Sequence, residues 1–304
     1  MENISKELYQ LLKDSCESCR SNTLSLSGGL DSSIIAYFLK NRKPNTVAII
    51  AKDFVANDLT YCQRVSKEFE IPLTINQVSM EDILNAIEQT IKILKNFNDI
   101  EIRNNIVMYL AIKWAKEQNS TGIITGDGAD ELFAGYSFLI NKPQEEIERE
   151  IQRICTVMHF PTQKIGKALG IIVESPFLDK NIVEFAKTIP SEFKIRNEGN
   201  KKYGKWILRK TFEKNIPMQI AWREKSPMQD GSGTTGLSNL FDSVISEQLF
   251  LEKKKKIAES DGIIIRSKES MHYYEIYRKF YDAPTKTNEN SCPYCNFNVE
   301  NSKF

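Results

Sequence analysis

The chain has 304 residues, of which 41% are hydrophobic and 27% charged, with a net charge of +1. This is the balance of a globular chain with one large domain or two modest ones, and it excludes a global pull toward nucleic acid or an anionic membrane. No apolar run approaches ~20 residues, and the opening Met1-Glu2-Asn3-Ile4-Ser5-Lys6 lacks a charged-then-apolar export signal, so a cytoplasmic location without membrane spans is expected.

Residues 4–15 carry Ile4, Leu8, Leu11 and Leu12 at helical spacing and predict an amphipathic helix. A short apolar strand follows at 23–26. Next comes Ser27-Gly28-Gly29-Leu30-Asp31-Ser32-Ser33, which opens an apolar helix at 34–39. Two glycines let the backbone turn tightly and approach a ligand closely. The free N–H groups of the new helix then face the turn, which makes it a phosphate cradle. It lacks the Gly-Lys-Ser/Thr ending of the common P-loop, which disfavours kinase or GTPase chemistry. An ordinary capped Gly-Gly turn is the competing reading of this segment alone.

Thr46-Val47-Ala48-Ile49-Ile50 predicts a second strand, 59–69 a helix, and 73–78 a third strand after Pro72. Helices are expected near 81–95 and 103–117, and Gly122-Ile123-Ile124-Thr125 is a fourth strand. This alternation predicts an α/β fold with a parallel sheet covered on both faces. Ligands of such sheets bind beyond the C-terminal strand ends. The turn after strand one and Gly126-Asp127-Gly128-Ala129-Asp130-Glu131 after strand four therefore line one crevice. Asp31 and the acidic residues of the second loop suit Mg²⁺ riding with phosphates. After about residue 140 the strand signal fades, and the rest reads as mostly helical, with loops at 195–204 and 227–236.

Further segments fall in a telling order. They are Gly126-Asp127-Gly128 with Ala134-Gly135-Tyr136; Glu174-Ser175-Pro176-Phe177-Leu178-Asp179; Lys205-Trp206-Ile207-Leu208-Arg209-Lys210; Ala221-Trp222-Arg223-Glu224-Lys225 with Asp230-Gly231-Ser232-Gly233; and Ser267-Lys268-Glu269 before Tyr274 and Ile276. Together with the first turn they resemble the synthetase domain of the asparagine synthetase family over about residues 23–281. The resemblance implies an N-type ATP pyrophosphatase fold and an AMP- and pyrophosphate-forming amide ligase. In that chemistry a carboxylate attacks the α-phosphorus of ATP, and ammonia or another amine then takes the acyl group from AMP. It implies ATP and Mg²⁺ as cofactors and aspartate as the default acid. Ser27, Gly28, Gly29, Asp31 and Ser32 would cradle the pyrophosphate, Gly126 would lie at the nucleotide, and Asp31 and Asp130 would hold the metal. Lys225 would stabilise charge as the adenylate forms and breaks. Asp127 stands where the family usually has a glutamate associated with amine activation, and Glu174-Ser175 stand where an arginine is expected before Pro176. The family's N-terminal glutaminase domain, which begins Met-Cys, is not expected here because position two is Glu2. The nitrogen would come from free ammonia, a separate glutaminase subunit, or another amine.

Six cysteines include two Cys-x-x-Cys pairs, Cys16/Cys19 in the segment 1–22 and Cys292/Cys295 in the polar tail 282–304. Brought together they would make a tetrahedral Zn²⁺ site stapling both ends to the nucleotide domain; apart, they are unrelated pairs or a redox dithiol. Cys62 and Cys155 fit packing roles. Paired zinc knuckles also mark some tRNA-thiolating enzymes of the pyrophosphatase-loop type. That alternative is disfavoured by the near-neutral charge and by the segments after residue 170.

Overall fold

The computed structural model describes residues 1–224, 227–289 and 291–297. Lys225, expected to be catalytic, lies outside the described residues. Five parallel strands, β1 (Thr23–Ser25), β2 (Asn45–Ala51), β3 (Leu73–Val78), β4 (Gly122–Ile124) and β5 (Ile172–Glu174), form one sheet in the order β3-β2-β1-β4-β5. The register pairs Leu24 with Thr46 on one side and with Ile124 on the other. In β2, Thr46 to Ala51 are all buried, as expected of a parallel strand covered on both faces.

One face is covered by α1 (Glu2–Ser18), α2 (Leu30–Leu39), α3 (Leu59–Phe69) and the helix Trp206–Phe212, around Leu8, Leu24, Ile35 and Phe212. The other is covered by α4 (Met80–Leu94), α5 (Asp99–Glu117) and the helix Lys268–Tyr277, around Ile87, Ile106, Ile123 and Tyr274. The expected α/β class with a mainly helical second half is what the structure has. Among the described residues no helix is long and apolar enough to cross a membrane.

The differences from expectation have local causes. The helix expected at 103 starts at Asp99, because the Asn98 side chain accepts the Glu101 N–H at 3.0 Å and caps it. β5 was not anticipated: it has three residues, and only Val173 of them is buried. The expected loop 195–204 holds a small hairpin, β6 (Arg196–Glu198) with β7 (Lys201–Tyr203). The strand order changes direction at β1, since β2 and β3 continue on one side and β4 and β5 on the other. The crevice at the C-terminal ends of β1 and β4 is therefore the ligand-binding place of this topology.

Lys194, at the end of the helix Ser191–Lys194, is only 3% exposed. Burial pushes its ammonium down from the ordinary 10.5 to about 8, with the Cys155 thiol pulling slightly the other way. A lysine depressed on folding binds its proton more weakly in the native than in the unfolded chain. Stability from this group therefore rises with pH between about 8 and 10.5. Lys194→Met is expected to be more stable than the parent by roughly 2–4 kcal/mol at pH 7, an advantage that vanishes above that window. Urea unfolding of both chains across the window tests this; an advantage independent of pH refutes it.

Candidate active site

Gly28 has φ +65, and a Cβ there would lie 2.6 Å from the Cys62 nitrogen and the Tyr61 Cβ. Only glycine fits this tight left-handed turn. Gly29 caps α2, whose first turn carries Asp31. The turn is tied by hydroxyls: Ser27 Oγ lies 3.1 Å from Ser32 Oγ, the Gly29 N–H donates to Ser27 Oγ at 3.3 Å, and Ser33 Oγ donates to the Gly29 carbonyl at 2.6 Å. The second loop packs directly on the first, because a Cβ on Gly126 would lie 3.2 Å from the Asp31 Cβ. The topology thus brings Ser27, Gly29, Asp31, Ser32, Gly126, Asp127 and Asp130 to one crevice, while Gly28 sits in the turn with its Cα against Tyr61 and Cys62 of α3.

At its centre the Lys205 ammonium bridges two carboxylates, 2.6 Å from Asp31 Oδ2 and 2.6 Å from Asp130 Oδ1. The Lys205 side chain is 5% exposed, and its backbone is left-handed at φ 54. Burial alone would lower its pKa, but Asp130 and Asp31 outweigh that and hold it above the ordinary lysine value. In the sequence this lysine stands within a family-like segment with no functional signal of its own, because an isolated lysine reads as a solvated surface residue. Its neighbours leave no slack. A Cβ on Gly135 would lie 1.8 Å from Asp130 Oδ1 and 2.2 Å from Lys205 Cε. Gly135→Ala is accordingly expected to push the pair apart and cost about 1–3 kcal/mol, read as a lower urea midpoint at unchanged slope. An unchanged midpoint contradicts the packing described.

Two arginines brace the same region. Arg209, 5% exposed, donates to the carbonyls of Gly204 at 2.9 Å, Ala221 at 2.7 Å and Arg223 at 2.8 Å. It thereby anchors the segment that leads to Lys225. Arg223 pairs with Asp58 at 2.7 Å, lies 3.7 Å over the Tyr61 ring and reaches the Gly28 carbonyl at 3.4 Å. Burial raises the Asp58 pKa, against the pull of Arg223.

The Asp127 carboxylate is held by hydroxyls: Thr125 donates to its Oδ2 at 3.0 Å and Thr162 at 2.5 Å. Thr125 Oγ1 also lies 2.9 Å from Ser175 Oγ. Glu131, 5% exposed, accepts the Tyr136 hydroxyl at 2.8 Å. Burial first and then Glu131 push that phenol far above its ordinary pKa. Glu174, in the place of the expected arginine, accepts the backbone N–H groups of Arg20 at 2.9 Å and Ser21 at 2.6 Å. It is a brace for the segment entering β1. The crevice opens into a cavity of about 1160 Å³ that runs from Ser27, Asp31 and Lys205 past Asn104 and His159 to Tyr294.

The zinc staple does not form. Cys16 and Cys19 end α1 and enter the first apolar cluster just before β1, at the N-terminal end of the sheet. Cys292 and Cys295 lie on the cavity wall, Cys295 against the second cluster. A residue that precedes a strand lies at the opposite end of the sheet from the crevice, so the pairs are kept apart. No group of three or more metal-binding side chains occurs among the described residues. Burial pushes the Cys16 thiol well up and Cys19 up to about 11. Burial also pulls Cys292 up, but the N–H groups and the Cys295 thiol directed at its sulfur outweigh it and hold it below its ordinary value.

Comparison with known proteins gives a consistent result. The family model described as asparagine synthase matches residues 3–148 and 140–297. Asparagine synthetase (glutamine-hydrolyzing) of Gallus gallus is 29% identical over 275 residues, covering 84% of this chain and 48% of the relative. Asparagine synthetase B (glutamine-hydrolyzing) of Escherichia coli K12 is 27% identical over 305 residues, covering 92% and 54%. The chain spans about half the length of the curated relatives it matches. Among solved structures, NMN synthetase from Francisella tularensis aligns over 91% of this chain and 93% of its own at 12% identity, with a TM-score of only 0.39.

Proposed function

Because this chain belongs to the asparagine synthase family, we propose that it is an ATP-dependent carbon–nitrogen ligase that forms AMP and pyrophosphate and joins an amine to an activated carboxylate. The observation that supports this most is the Asp31–Lys205–Asp130 bridge between the loops of β1 and β4. It sets a buried cation and the N–H groups of a glycine turn at a helix N-terminus, which attract a polyphosphate, beside two carboxylates that suit the Mg²⁺ that would ride with it.

In this reading the Ser27–Ser32 turn holds the pyrophosphate half of ATP with backbone N–H groups and the Ser27 and Ser32 hydroxyls. Asp31 and Asp130 already share one cationic nitrogen, and two such oxygen donors fit Mg²⁺, which takes few protein carboxylates and completes its shell with phosphates. Mg²⁺ when bound supplies charge neutralisation to the leaving pyrophosphate. Arg223 positions the turn through the Gly28 carbonyl, and Arg209 fixes the carbonyls of Ala221 and Arg223, which precede Lys225 in the sequence. The acid's carboxylate oxygen attacks the α-phosphorus as the bond to pyrophosphate breaks, and Lys225 balances the charge. The amine then attacks the acyl carbon, AMP leaves, and Asp127, fixed by Thr125 and Thr162, takes the proton. Its shorter side chain sets the acceptor back from where a glutamate would put it.

Aspartate is the first acid to try, and free ammonia or ammonia from a separate glutaminase the first nitrogen source, in a cytoplasmic setting. The tRNA-thiolating alternative rested on paired knuckles, and these lie at opposite ends of the sheet. A screen of acids against amines, read as pyrophosphate and amide together, tests the proposal. ADP and phosphate as products would overturn it.

A further inference from the structure

The two Cys-x-x-Cys pairs are chemically unlike. Cys16 and Cys19 are 0% and 9% exposed, and the Cys19 thiol donates to the Ser15 carbonyl at 3.5 Å inside the core. Cys292 and Cys295 are half-buried and face the large cavity. Cys292-Pro293-Tyr294-Cys295 forms one turn, closed by the Asn296 N–H donating to the Cys292 carbonyl at 3.0 Å. The turn is fastened by the Ile264 N–H to the Tyr294 carbonyl at 2.8 Å, by Asn296 Nδ2 to the Pro284 carbonyl at 2.9 Å, and by Phe297 packed 5.2 Å from Phe97. Within it the Tyr294 N–H donates to Cys292 Sγ at 3.4 Å.

We propose that Cys292 and Cys295 form a redox-active dithiol on the cavity wall that exchanges with a small-molecule disulfide. The Tyr294 N–H directed at Cys292 Sγ stabilises the thiolate, which is the attacking species. The second cysteine stands three residues on in the same closed turn. The Cys292 thiolate attacks one sulfur of the small disulfide, forming a mixed disulfide and releasing a thiolate. Cys295, deprotonated, then attacks Cys292 Sγ and releases the second thiol. The two cysteines are oxidised to one disulfide, and the small disulfide is reduced to two thiols.

The test uses the full chain, reduced, with oxidised glutathione as the probe, followed by alkylation without denaturation and peptide mass spectrometry. The peptide carrying both residues is expected to lose two hydrogens and regain them with dithiothreitol, while Cys16, Cys19 and Cys62 stay reduced and take label only after unfolding. Cys295→Ser is expected to trap a mixed disulfide at Cys292, and Cys292→Ser to form no disulfide at all. Wild-type protein that stops at a glutathione adduct, a Cys295→Ser chain that takes none, or Cys16 and Cys19 oxidising as fast would each overturn the proposal. So would purified chain that holds zinc at Cys292 and Cys295 and protects both from alkylation.

Discussion

Asp31→Asn is expected to slow pyrophosphate release about 10²–10³-fold, the usual cost of losing one preorganised charge-stabilising group. The fold should survive. The amide has nearly the shape of the carboxylate, its oxygen still accepts from Lys205, and Asp130 still pairs with that ammonium at 2.6 Å. A pyrophosphate-coupled assay and a thermal melt on the same sample separate the two effects. Activity within tenfold of the parent would remove Asp31 from the reaction. A collapsed melt would make its role structural.

Lys205→Met is expected to act on both counts. The ammonium is buried between Asp31 and Asp130 and holds two loops of the switch point together. Removing one partner of a buried ionic group leaves charge uncompensated and costs about 3–5 kcal/mol. Urea unfolding reads that loss. Part of it should return in millimolar Mg²⁺, because a cation that binds only the native chain stabilises it by mass action. A variant as stable as the parent, with no response to Mg²⁺, would contradict the bridge as the centre of the site.

Much of the fold was legible. The expected helix at 59–69 and strand at 73–78 coincide with α3 and β3, because Pro72 breaks the chain between a helical and a β-branched pattern. The parallel sheet followed from the strand–helix alternation. β5 escaped because three residues with one of them buried give no periodicity, although Ile171-Ile172-Val173 after Gly170 was a β-branched signal. The glycine turn and the acidic loop were legible as facing walls because a strand's C-terminal end is a fixed place in this topology. Lys205 was not legible as a site residue. Its burial depends on Gly135 and Gly204 clearing space, and on a hairpin that turns the chain back toward β1. The zinc staple failed for the complementary reason. Cys-x-x-Cys spacing is a local pattern and says nothing about which end of the sheet each pair occupies. The resemblance to the family carried the reading from a phosphate cradle to an amide-forming chemistry, and the family match is consistent with that step.

The most direct measurement of the central claim follows an oxygen atom. The acid found in the substrate screen is labelled with heavy oxygen in its carboxylate and incubated with ATP, Mg²⁺ and the amine, and the products are separated. Attack at the α-phosphorus leaves the label in AMP and none in pyrophosphate. Label in inorganic phosphate, with ADP formed, would mean attack at the terminal phosphorus and would contradict the account.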